Sequence, residues 1–231
     1  PVTGVQTCAL PIYWEAMRWA RPYISVNQVG PLPKKAADIL AVDDIVRVRL
    51  NASGAWELVQ VPSVQGQLVA LNQDTGAIEA VVGGFDFTES KFNRSLQGWR
   101  QAGSTLKPFI YSLALERGYT PASLVNDSPL SFGEGSNAWR PSNSDGQFYG
   151  PIRLRRALYQ SRNLVSIRLL QSVGIDNARS YMMRFGFPRD RMQRNLTLAL
   201  GSAEVLPVQM AAAYAAFANG GFHVTPYFIA K

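Results

Sequence analysis

The residue types best suited to covalent chemistry stand at a predicted helix start, in the tetrad Ser104-Thr105-Leu106-Lys107. A spacing of three places the Ser104 hydroxyl and the Lys107 amine one turn apart on one helical face. A desolvated lysine with a lowered pKa can take the proton of a serine, which then attacks as a nucleophile. Backbone N–H groups at the helix start offer donors to an oxyanion.

By itself this tetrad is a weak signal. With 18 serines and 5 lysines among 231 residues, chance alone produces about 0.4 such tetrads. A helix-capping Ser104 with a solvated Lys107 is the simpler explanation of an isolated match.

A second set of polar side chains, Ser161-Arg162-Asn163, lies between two stretches of helical apolar periodicity. At a turn between helices, Ser161 and Asn163 can both face a cleft, the first as a proton relay and the second as an amide donor and acceptor. The alternative is an ordinary turn in which Asn163 caps the following helix. Alone, the ordinary turn is again the simpler interpretation.

Two hairpins are predicted before these motifs. Alternation of apolar and polar residues over 45–50 and 56–61, with a turn between them, predicts the first. The second is predicted at 66–72 and 77–83 around a turn at 73–76. Its strands are apolar on both faces, so we expect this sheet to be covered.

Helical periodicity follows the hairpins and must position both motifs. Glycine or proline near the ends of the periodic stretches supports helices at 104–117, 154–159, 164–172, 177–185 and 208–218. The aperiodic stretch 126–150 is long for a structureless loop, which suggests a functional role for it.

The composition is that of a chain that can bury a core. It has 231 residues and 25.4 kDa, with 47% apolar and 17% charged residues. The longest apolar-rich run, 210–218, is about nine residues long, against the ~20 that a membrane span needs. Because the chain has one cysteine (Cys8) and one histidine (His223), we expect no intrachain disulfide, no metal site and no cofactor.

The net charge is +7, and the excess of positive charge is concentrated at 140–194, which contains 11 arginines and three acidic residues. Such an excess permits nucleic acid, an anionic membrane surface or an acidic polymer as a partner. No nucleic-acid-binding motif is present and no aromatics interleave with these arginines, so we do not expect nucleic acid. Solvated helix faces explain the arginines more simply.

The two motifs gain weight from their surroundings. Ser-x-x-Lys followed by Ser-x-Asn belongs to the signature of serine acyl-enzymes that react with penicillin. Six blocks in the same order resemble the transpeptidase domain of class A, bifunctional penicillin-binding proteins: FNRS (92–95), RQAGSTLKPFIY (100–111), WRPSN (139–143), LRRALYQSRN (154–163), LALGS (198–202) and AYAAFANGG (213–221).

This resemblance implies the fold class and the domains. The fold is α/β (α+β): a truncated transpeptidase fold of the penicillin-binding-protein and β-lactamase kind, preceded by part of a small β-rich, OB-like domain of Gram-negative type. We assign 13–63 to the β-rich domain and 64–231 to the N-terminal part of the transpeptidase domain. Residues 1–12, which include Cys8, resemble read-through of a sequencing adapter and are assigned as a non-native segment.

The resemblance also implies a D,D-transpeptidase mechanism with named roles. Ser104 is the acylated serine and Lys107 its general base. Ser161 relays a proton to the departing D-Ala and binds substrate, and Asn163 orients the peptidoglycan stem peptide. β-Lactams acylate the same serine. Trp139 either lines the substrate groove or packs beneath its loop, and the sequence does not choose between the two.

One family motif is missing from the printed residues. No Lys-Thr-Gly or Lys-Ser-Gly occurs in them. In the family this motif lies on a strand after the helical run and supplies the second oxyanion donor. We therefore interpret the chain as an inactive or nearly inactive fragment. The parent is expected in the inner membrane, with its catalytic domain in the periplasm and a glycosyltransferase domain.

Two other functions remain open. The first is a D,D-carboxypeptidase or β-lactamase of the same fold, although the loop glutamate that class A β-lactamases use for hydrolysis has no clear counterpart. Glu204 follows the block LALGS, which matches the transpeptidases instead. The second is a non-catalytic binding module in which the Ser104–Lys107 pair is vestigial.

Overall fold

The computed structural model describes residues 10–230. The chain divides into two compact units, the first running to Val64 and the second beginning at Gln65. Cys8 and the rest of 1–9 lie outside the described residues, so the assignment of 1–12 as non-native stays a prediction. Ile12, at the end of that segment, forms a parallel bridge with Trp56.

Between residues 10 and 64, the first unit has two antiparallel hairpins and two 3₁₀ turns. The predicted hairpin at 45–61 is confirmed with shorter strands, β3 and β4, in which Arg49 lies opposite Glu57. Its turn is closed by the Asn51 side chain, which accepts hydrogen bonds from the N–H groups of Ser53 and Ala55 at 3.0 and 2.9 Å. The elements are Trp14–Ala16 (3₁₀), β1 (Tyr23–Ser25), β2 (Gln28–Val29), Ala36–Asp38 (3₁₀), β3 (Arg47–Leu50) and β4 (Trp56–Val59).

The second unit is mostly helical, with three short two-stranded ladders. The ladders pair β5 with β6, β7 with β10 and β8 with β9, all antiparallel. Its strands are β5 (Leu68–Leu71), β6 (Ile78–Val82), β7 (Arg100–Gln101), β8 (Leu124–Asp127), β9 (Gly150–Arg153) and β10 (Glu204–Val205). Its helices are α1 (Arg94–Gln97), α2 (Lys107–Glu116), α3 (Leu154–Tyr159), α4 (Asn163–Val173), α5 (Ile175–Met183) and α6 (Pro207–Ala218). Four 3₁₀ turns connect them: Gly103–Leu106, Gly135–Asn137, Arg189–Arg191 and Leu196–Leu200.

A helix is present in each of the five predicted stretches, with different bounds, and α4 forms the centre of the core. Its side chains from Leu164 to Ile167 are fully buried, as are Leu169 and Leu170. It packs against α2, α5, β8 and the 3₁₀ turn Leu196–Leu200. Apolar side chains of α2 and of the turn before it are buried at helical spacing, among them Leu106, Phe109, Ile110, Leu113 and Ala114.

The expectation that the second hairpin is covered on both faces is wrong for the described residues. Leu71 packs against Ala212 and Ala215 of α6 on one face. The cross-strand pair Leu68 and Val82 is half exposed, at 52% and 50%. Apolar residues on both faces indicate that both faces of a strand can be buried. Here α6 covers the face toward Leu71 and leaves the Leu68–Val82 pair half exposed.

The start of α2 also differs from the prediction of one continuous helix over 104–117. Ser104 lies in the 3₁₀ turn Gly103–Leu106, and the α-helix begins only at Lys107. Pro108 explains the change, because it has no N–H to donate to the Ser104 carbonyl four residues before it. That carbonyl instead accepts from the Lys107 N–H, three residues on.

The turn that carries Ser104 is anchored by a close approach between two glycines. The Gly103 N–H donates to the Gly201 carbonyl at 2.9 Å, and the Ala102 N–H donates to the Ala203 carbonyl at 2.9 Å. Gly201 has a φ of +77°, and a Cβ atom placed on it would lie 1.8 Å from the Gly103 carbonyl oxygen. Only glycine therefore fits at 201 without moving the turn.

We predict that Gly201→Ala lowers the melting temperature more than Gly118→Ala does. Gly118 is a matched control because its φ is +94° but nothing lies within 4 Å of its Cβ position. Both variants suffer the strain of a left-handed alanine, about 1–2 kcal/mol, and Gly201→Ala adds a steric clash with backbone. Equal melting temperatures of the two variants would contradict this account of the anchor.

Candidate active site

A buried lysine amine joins the two sequence motifs. Lys107 is 1% exposed. Its Nζ donates hydrogen bonds to the Ser161 carbonyl at 2.7 Å, the Ser161 Oγ at 2.9 Å and the Asn163 Oδ1 at 2.7 Å. The first turn of α2 and the start of α4 thus meet at this amine, and three of the four predicted catalytic residues are in direct contact.

Burial changes the proton equilibrium of this amine. Desolvation, with the nearby Arg162 charge as a second cause, lowers the pKa of Lys107 to about 8. About a tenth of the molecules therefore carry a neutral amine at pH 7. The ammonium form donates to all three oxygens. In the neutral form the lone pair can accept the Ser161 hydroxyl proton, so the same geometry serves both states.

Ser104 occupies a different environment from its neighbour Lys107. It is exposed, in the 3₁₀ turn immediately before α2. Its hydroxyl forms no hydrogen bond with any residue of 10–230. The serine is therefore open to a reagent from solvent, while the amine one turn later is held on the inner side by the second motif.

Ser161 occupies a backbone position that favours glycine. It follows α3 with a φ of +54°. Its N–H donates to the Leu158 carbonyl at 2.9 Å, and the Arg162 N–H donates to the Ala157 carbonyl at 2.9 Å. These two bonds form a Schellman motif, whose left-handed residue is usually glycine. A serine there is strained, and such a conformation persists only where the surrounding structure fixes it.

Asn163 begins α4 but does not cap it. Its Oδ1 accepts from Lys107, and its Nδ2 donates to the Ser142 carbonyl at 2.9 Å. The cap comes instead from Asn143, whose Oδ1 accepts from the N–H groups of Asn163 and Leu164 at 2.9 and 3.4 Å. The alternative of Asn163 as an N-cap is therefore wrong, and its amide remains available to the site.

The side chains of Asn143, Asp127 and Arg162 lie directly behind the second motif, and no role was predicted for them from the sequence. All three are buried. Asp127 ends β8, and Asn143 lies in the loop that connects β8 with β9, within the aperiodic stretch 126–150. Polar residues in a loop otherwise expected to be solvated were the available signal, but the contacts of Asp127 and Asn143 with Arg162 and α4 are long-range and leave no periodic pattern.

Trp139 packs within that same loop. Its ring stacks on Phe132 with centroids 5.2 Å apart and planes inclined by 28°. The two residues also form an antiparallel bridge, and Trp139 packs partly buried against the main core. Of the two alternatives left by the sequence, this geometry favours packing beneath the loop, and a role for Trp139 in substrate binding stays a prediction.

The chemistry available at the site is that of serine, lysine and amide groups. Within residues 10–230, no cluster of three or more histidine, cysteine, aspartate or glutamate side chains could hold a metal ion.

None of the helices described between residues 10 and 230 is both long and apolar enough to span a bilayer.

Two family models match the chain in succession. The penicillin-binding protein transpeptidase domain matches residues 66–231, and the penicillin-binding protein OB-like domain matches residues 5–64. The predicted fold class, a transpeptidase fold preceded by part of an OB-like domain, is confirmed by these matches. The exact bounds that the sequence analysis gave to each domain stay predictions.

Curated relatives agree with the family models. The chain is 49% identical to penicillin-binding protein 1A of Pseudomonas aeruginosa over 95% of its length, and 49% identical to penicillin-binding protein 1A of Escherichia coli over 94%. These alignments cover 27% and 26% of the two relatives. The chain therefore spans about a quarter of the length of the curated relatives it matches.

Solved structures give the same result. The crystal structure of penicillin-binding protein 1A from Haemophilus influenzae matches 79% of this chain and 27% of its own, with a TM-score of 0.74 and 49% identity. The penicillin-binding protein PonA1 from Mycobacterium tuberculosis matches 72% of this chain and 46% of its own, with a TM-score of 0.62. At 23% identity, the second match supports the fold alone.

We predict that the Lys107 side chain titrates near pH 8, well below the ordinary lysine value of 10.5, because burial disfavours its charged form. The measurement is NMR of ¹³C-labelled lysine side chains between pH 6 and 11. The Lys107 resonance is assigned by its loss in Lys107→Arg. A midpoint at or above pH 10 would show that the amine is solvated and that the buried geometry is wrong.

Proposed function

The chain belongs to the penicillin-binding protein transpeptidase family, and on that premise we propose that the protein is a serine D,D-transpeptidase that cross-links peptidoglycan through an acyl-enzyme on Ser104. The observation that carries the proposal is the buried Lys107 amine, held by Ser161 and Asn163 with its pKa lowered to about 8. An amine that is partly neutral at physiological pH can act as a general base.

The first half-reaction forms the acyl-enzyme. Ser104 Oγ attacks the carbonyl carbon of the D-Ala–D-Ala peptide bond, and neutral Lys107 takes the hydroxyl proton as the C–O bond forms. The C–N bond then breaks, and the departing D-Ala nitrogen needs a proton. Ser161 Oγ, 2.9 Å from Lys107 Nζ, can pass one from the ammonium to that nitrogen. Protons balance, and Lys107 returns to its neutral state.

The second half-reaction reverses these roles. An amine of a neighbouring stem peptide attacks the ester carbonyl carbon and gives a proton to Lys107 as the C–N bond forms. The ester C–O bond then breaks, Lys107 returns that proton to Ser104 Oγ, and the product carries a new peptide cross-link. Asn163 is suited to orient the stem peptide, because an amide can donate and accept at once. Its Oδ1 is already bound to Lys107 and one of its N–H groups to Ser142, so the second N–H is the donor left for substrate.

β-Lactams are the expected inhibitors of the same serine. Their amide carbonyl can take the place of the D-Ala–D-Ala carbonyl, and attack by Ser104 opens the ring and leaves an ester on Oγ. The exposure of Ser104 supports access by such a reagent. We propose β-lactams and stem peptides ending in D-Ala–D-Ala as the ligands of the protein.

The location of the complete protein follows from the same proposal. A peptidoglycan cross-linking enzyme of this family works where its substrate lies, so we propose an inner-membrane protein with its catalytic domain in the periplasm and a glycosyltransferase domain. Nucleic acid has no place in this function.

A hydrolase of the same fold is the less favoured candidate. Hydrolysis requires a group that activates water, and Glu204 was the acid weighed for that role. In the structure Glu204 lies on β10, and its Oε2 is bound by Arg191 Nη1 at 3.1 Å. A non-catalytic module is disfavoured by Lys107 itself, because burying an amine is costly for a protein that makes no use of it.

We predict that penicillin forms a covalent adduct with the complete protein, meaning the product of the whole reading frame that contains these 231 residues, and that Ser104→Ala abolishes it. The adduct is read by intact mass and by peptide mapping. An adduct that persists in Ser104→Ala would show that another residue is the nucleophile.

Lys107→Arg is the companion variant, because a guanidinium keeps the positive charge but does not give up its proton in proteins. Acylation should slow by at least ~10², the usual scale for loss of a general base. A rate within a few-fold of the unchanged protein would assign Lys107 an electrostatic or structural role only.

We also predict that the 231 residues expressed alone are acylated far more slowly than the complete protein. The printed sequence contains no Lys-Thr-Gly or Lys-Ser-Gly motif, and loss of one oxyanion donor typically costs ~10²–10³ in rate. Time courses with fluorescent penicillin on both proteins test this. Equal rates would mean that the described residues hold a complete site without that motif.

A further inference from the structure

A buried polar cluster lies behind the second motif and takes no part in the steps above. It consists of Asp127 at the end of β8, Asn143 in the loop between β8 and β9, and Arg162 just before α4. They are 0%, 3% and 3% exposed. Buried charged groups are costly unless they are paired and hydrogen-bonded, so a cluster of this kind needs a reason.

Asp127 and Arg162 form its charged pair. The Asp127 Oδ2 accepts from Arg162 Nε and Nη2, both at 2.8 Å, and its Oδ1 accepts from Asn143 Nδ2 at 2.9 Å. The Tyr149 N–H adds a donor to Oδ2 at 3.3 Å. The carboxylate is therefore fully satisfied, as a buried charge requires.

The guanidinium of Arg162 reaches further into the loop. Its Nη1 binds the Asp145 Oδ2 at 2.7 Å, and its Nη2 donates to the Gln147 carbonyl. Its plane lies over the Tyr149 ring, 4.7 Å from the centroid. Arg162 thus fixes the chain on which it lies by contacts with residues of 127–149, and these are not the residues that bind Lys107.

Asn143 connects this pair to the site. Its Oδ1 binds the Asn163 and Leu164 N–H groups, while its Nδ2 binds Asp127 and the Gln147 carbonyl at 2.9 Å. The segment 161–164 is therefore held from behind at three consecutive residues, Arg162, Asn163 and Leu164. Ser161 and Asn163 remain facing Lys107 on the other side.

These contacts can hold the strained backbone of Ser161 in place. A serine at a φ of +54° persists only where the surroundings over-determine its conformation. We propose, on the basis of the proposed transpeptidase function, that the Asp127–Asn143–Arg162 cluster is a positioning device, and that Arg162 is the positioning residue that holds Ser161 and Asn163 at hydrogen-bonding distance from the Lys107 amine.

Arg162 has a second effect that a purely structural residue would lack. Desolvation is the main cause of the lowered pKa of Lys107, and the charge of Arg162 is the second. Several other charged side chains lie on the elements packed around α2. A neighbouring positive charge favours the neutral amine. Removal of the Arg162 charge should therefore raise the pKa of Lys107 and move the pH dependence of acylation upward. The other charged groups on these elements are Arg155, Arg156, Arg168, Asp176 and Arg179, with Asp127 and Asp145 behind Arg162.

The experiment compares Arg162→Gln with Arg168→Gln in the complete protein. Arg168 is a matched control, because it also lies at α4 and binds the same loop, donating to the Ser128 carbonyl at 2.8 Å and to Ser128 Oγ at 3.0 Å. Acylation by fluorescent penicillin is measured from pH 6 to 10, and each variant is checked by its melting temperature.

For Arg162→Gln we expect a slower acylation, by ~10-fold or more at pH 7.5, and a pH midpoint raised by about half a unit or more. Arg168→Gln should leave the midpoint where it is in the unchanged protein. Arg162→Lys should keep the midpoint, because it keeps the charge, while acylating more slowly because it lacks the planar fork.

A lower rate with an unmoved midpoint in Arg162→Gln would overturn the proposal, and so would an equal shift in Arg168→Gln. If Arg162→Gln melts too low to assay, Arg162→Lys decides, and a rate within two-fold of the unchanged protein overturns the proposal. Absence of any adduct on the unchanged protein would instead contradict the transpeptidase function. In that case the ¹³C titration of Lys107 in Arg162→Gln tests the cluster directly, with an unmoved midpoint counting against it.

Discussion

The contact between the Lys107 amine and three uncharged oxygens is the interaction on which the second unit depends. An amine buried to 1% exposure has lost almost all of its water, and Ser161 and Asn163 replace that water without bringing a negative charge. A carboxylate in their place would hold the amine protonated. Desolvation, with the Arg162 charge as a second cause, lowers the pKa of the amine to about 8. Since its hydrogen-bond partners Ser161 and Asn163 bring no negative charge to offset this, the site can move a proton near physiological pH.

Such a contact is useful only if both sides of it are fixed. On the Ser104 side, the backbones of Gly103 and Gly201 approach so closely that they fix the position of the 3₁₀ turn. On the Ser161 side, buried polar side chains hold the start of α4. The glycine contact fixes its turn because neither residue has a side chain. The polar side chains fix the start of α4 through hydrogen bonds. Together they leave the core helices α2 and α4 as the rigid base between them.

Much of this could be predicted from the sequence, and the limits have physical causes. The apolar face of α2 and the meeting of the two motifs follow from local spacing and from the resemblance to a known family. The 3₁₀ turn at Ser104 was not predicted. Its cause is the missing N–H of Pro108, which leaves the Ser104 carbonyl without an α-helical donor, and apolar spacing does not reveal it. The open face of the second hairpin was missed because apolar residues indicate what a strand can bury and not what lies near it. The cluster around Asp127 was missed because residues 35 apart in the chain share no periodic signal.

The left-handed serine at 161 has a consequence for anyone who alters this chain. Glycine relieves the strain of a positive φ, so a library selected only for heat resistance should become enriched in glycine at that position, while losing the hydroxyl beside the Lys107 amine. Stability and chemistry thus favour different residues at one backbone position. A stabilising redesign of this domain must therefore keep serine at position 161 and introduce its substitutions elsewhere. Otherwise it will yield a more stable protein that lacks the hydroxyl beside Lys107.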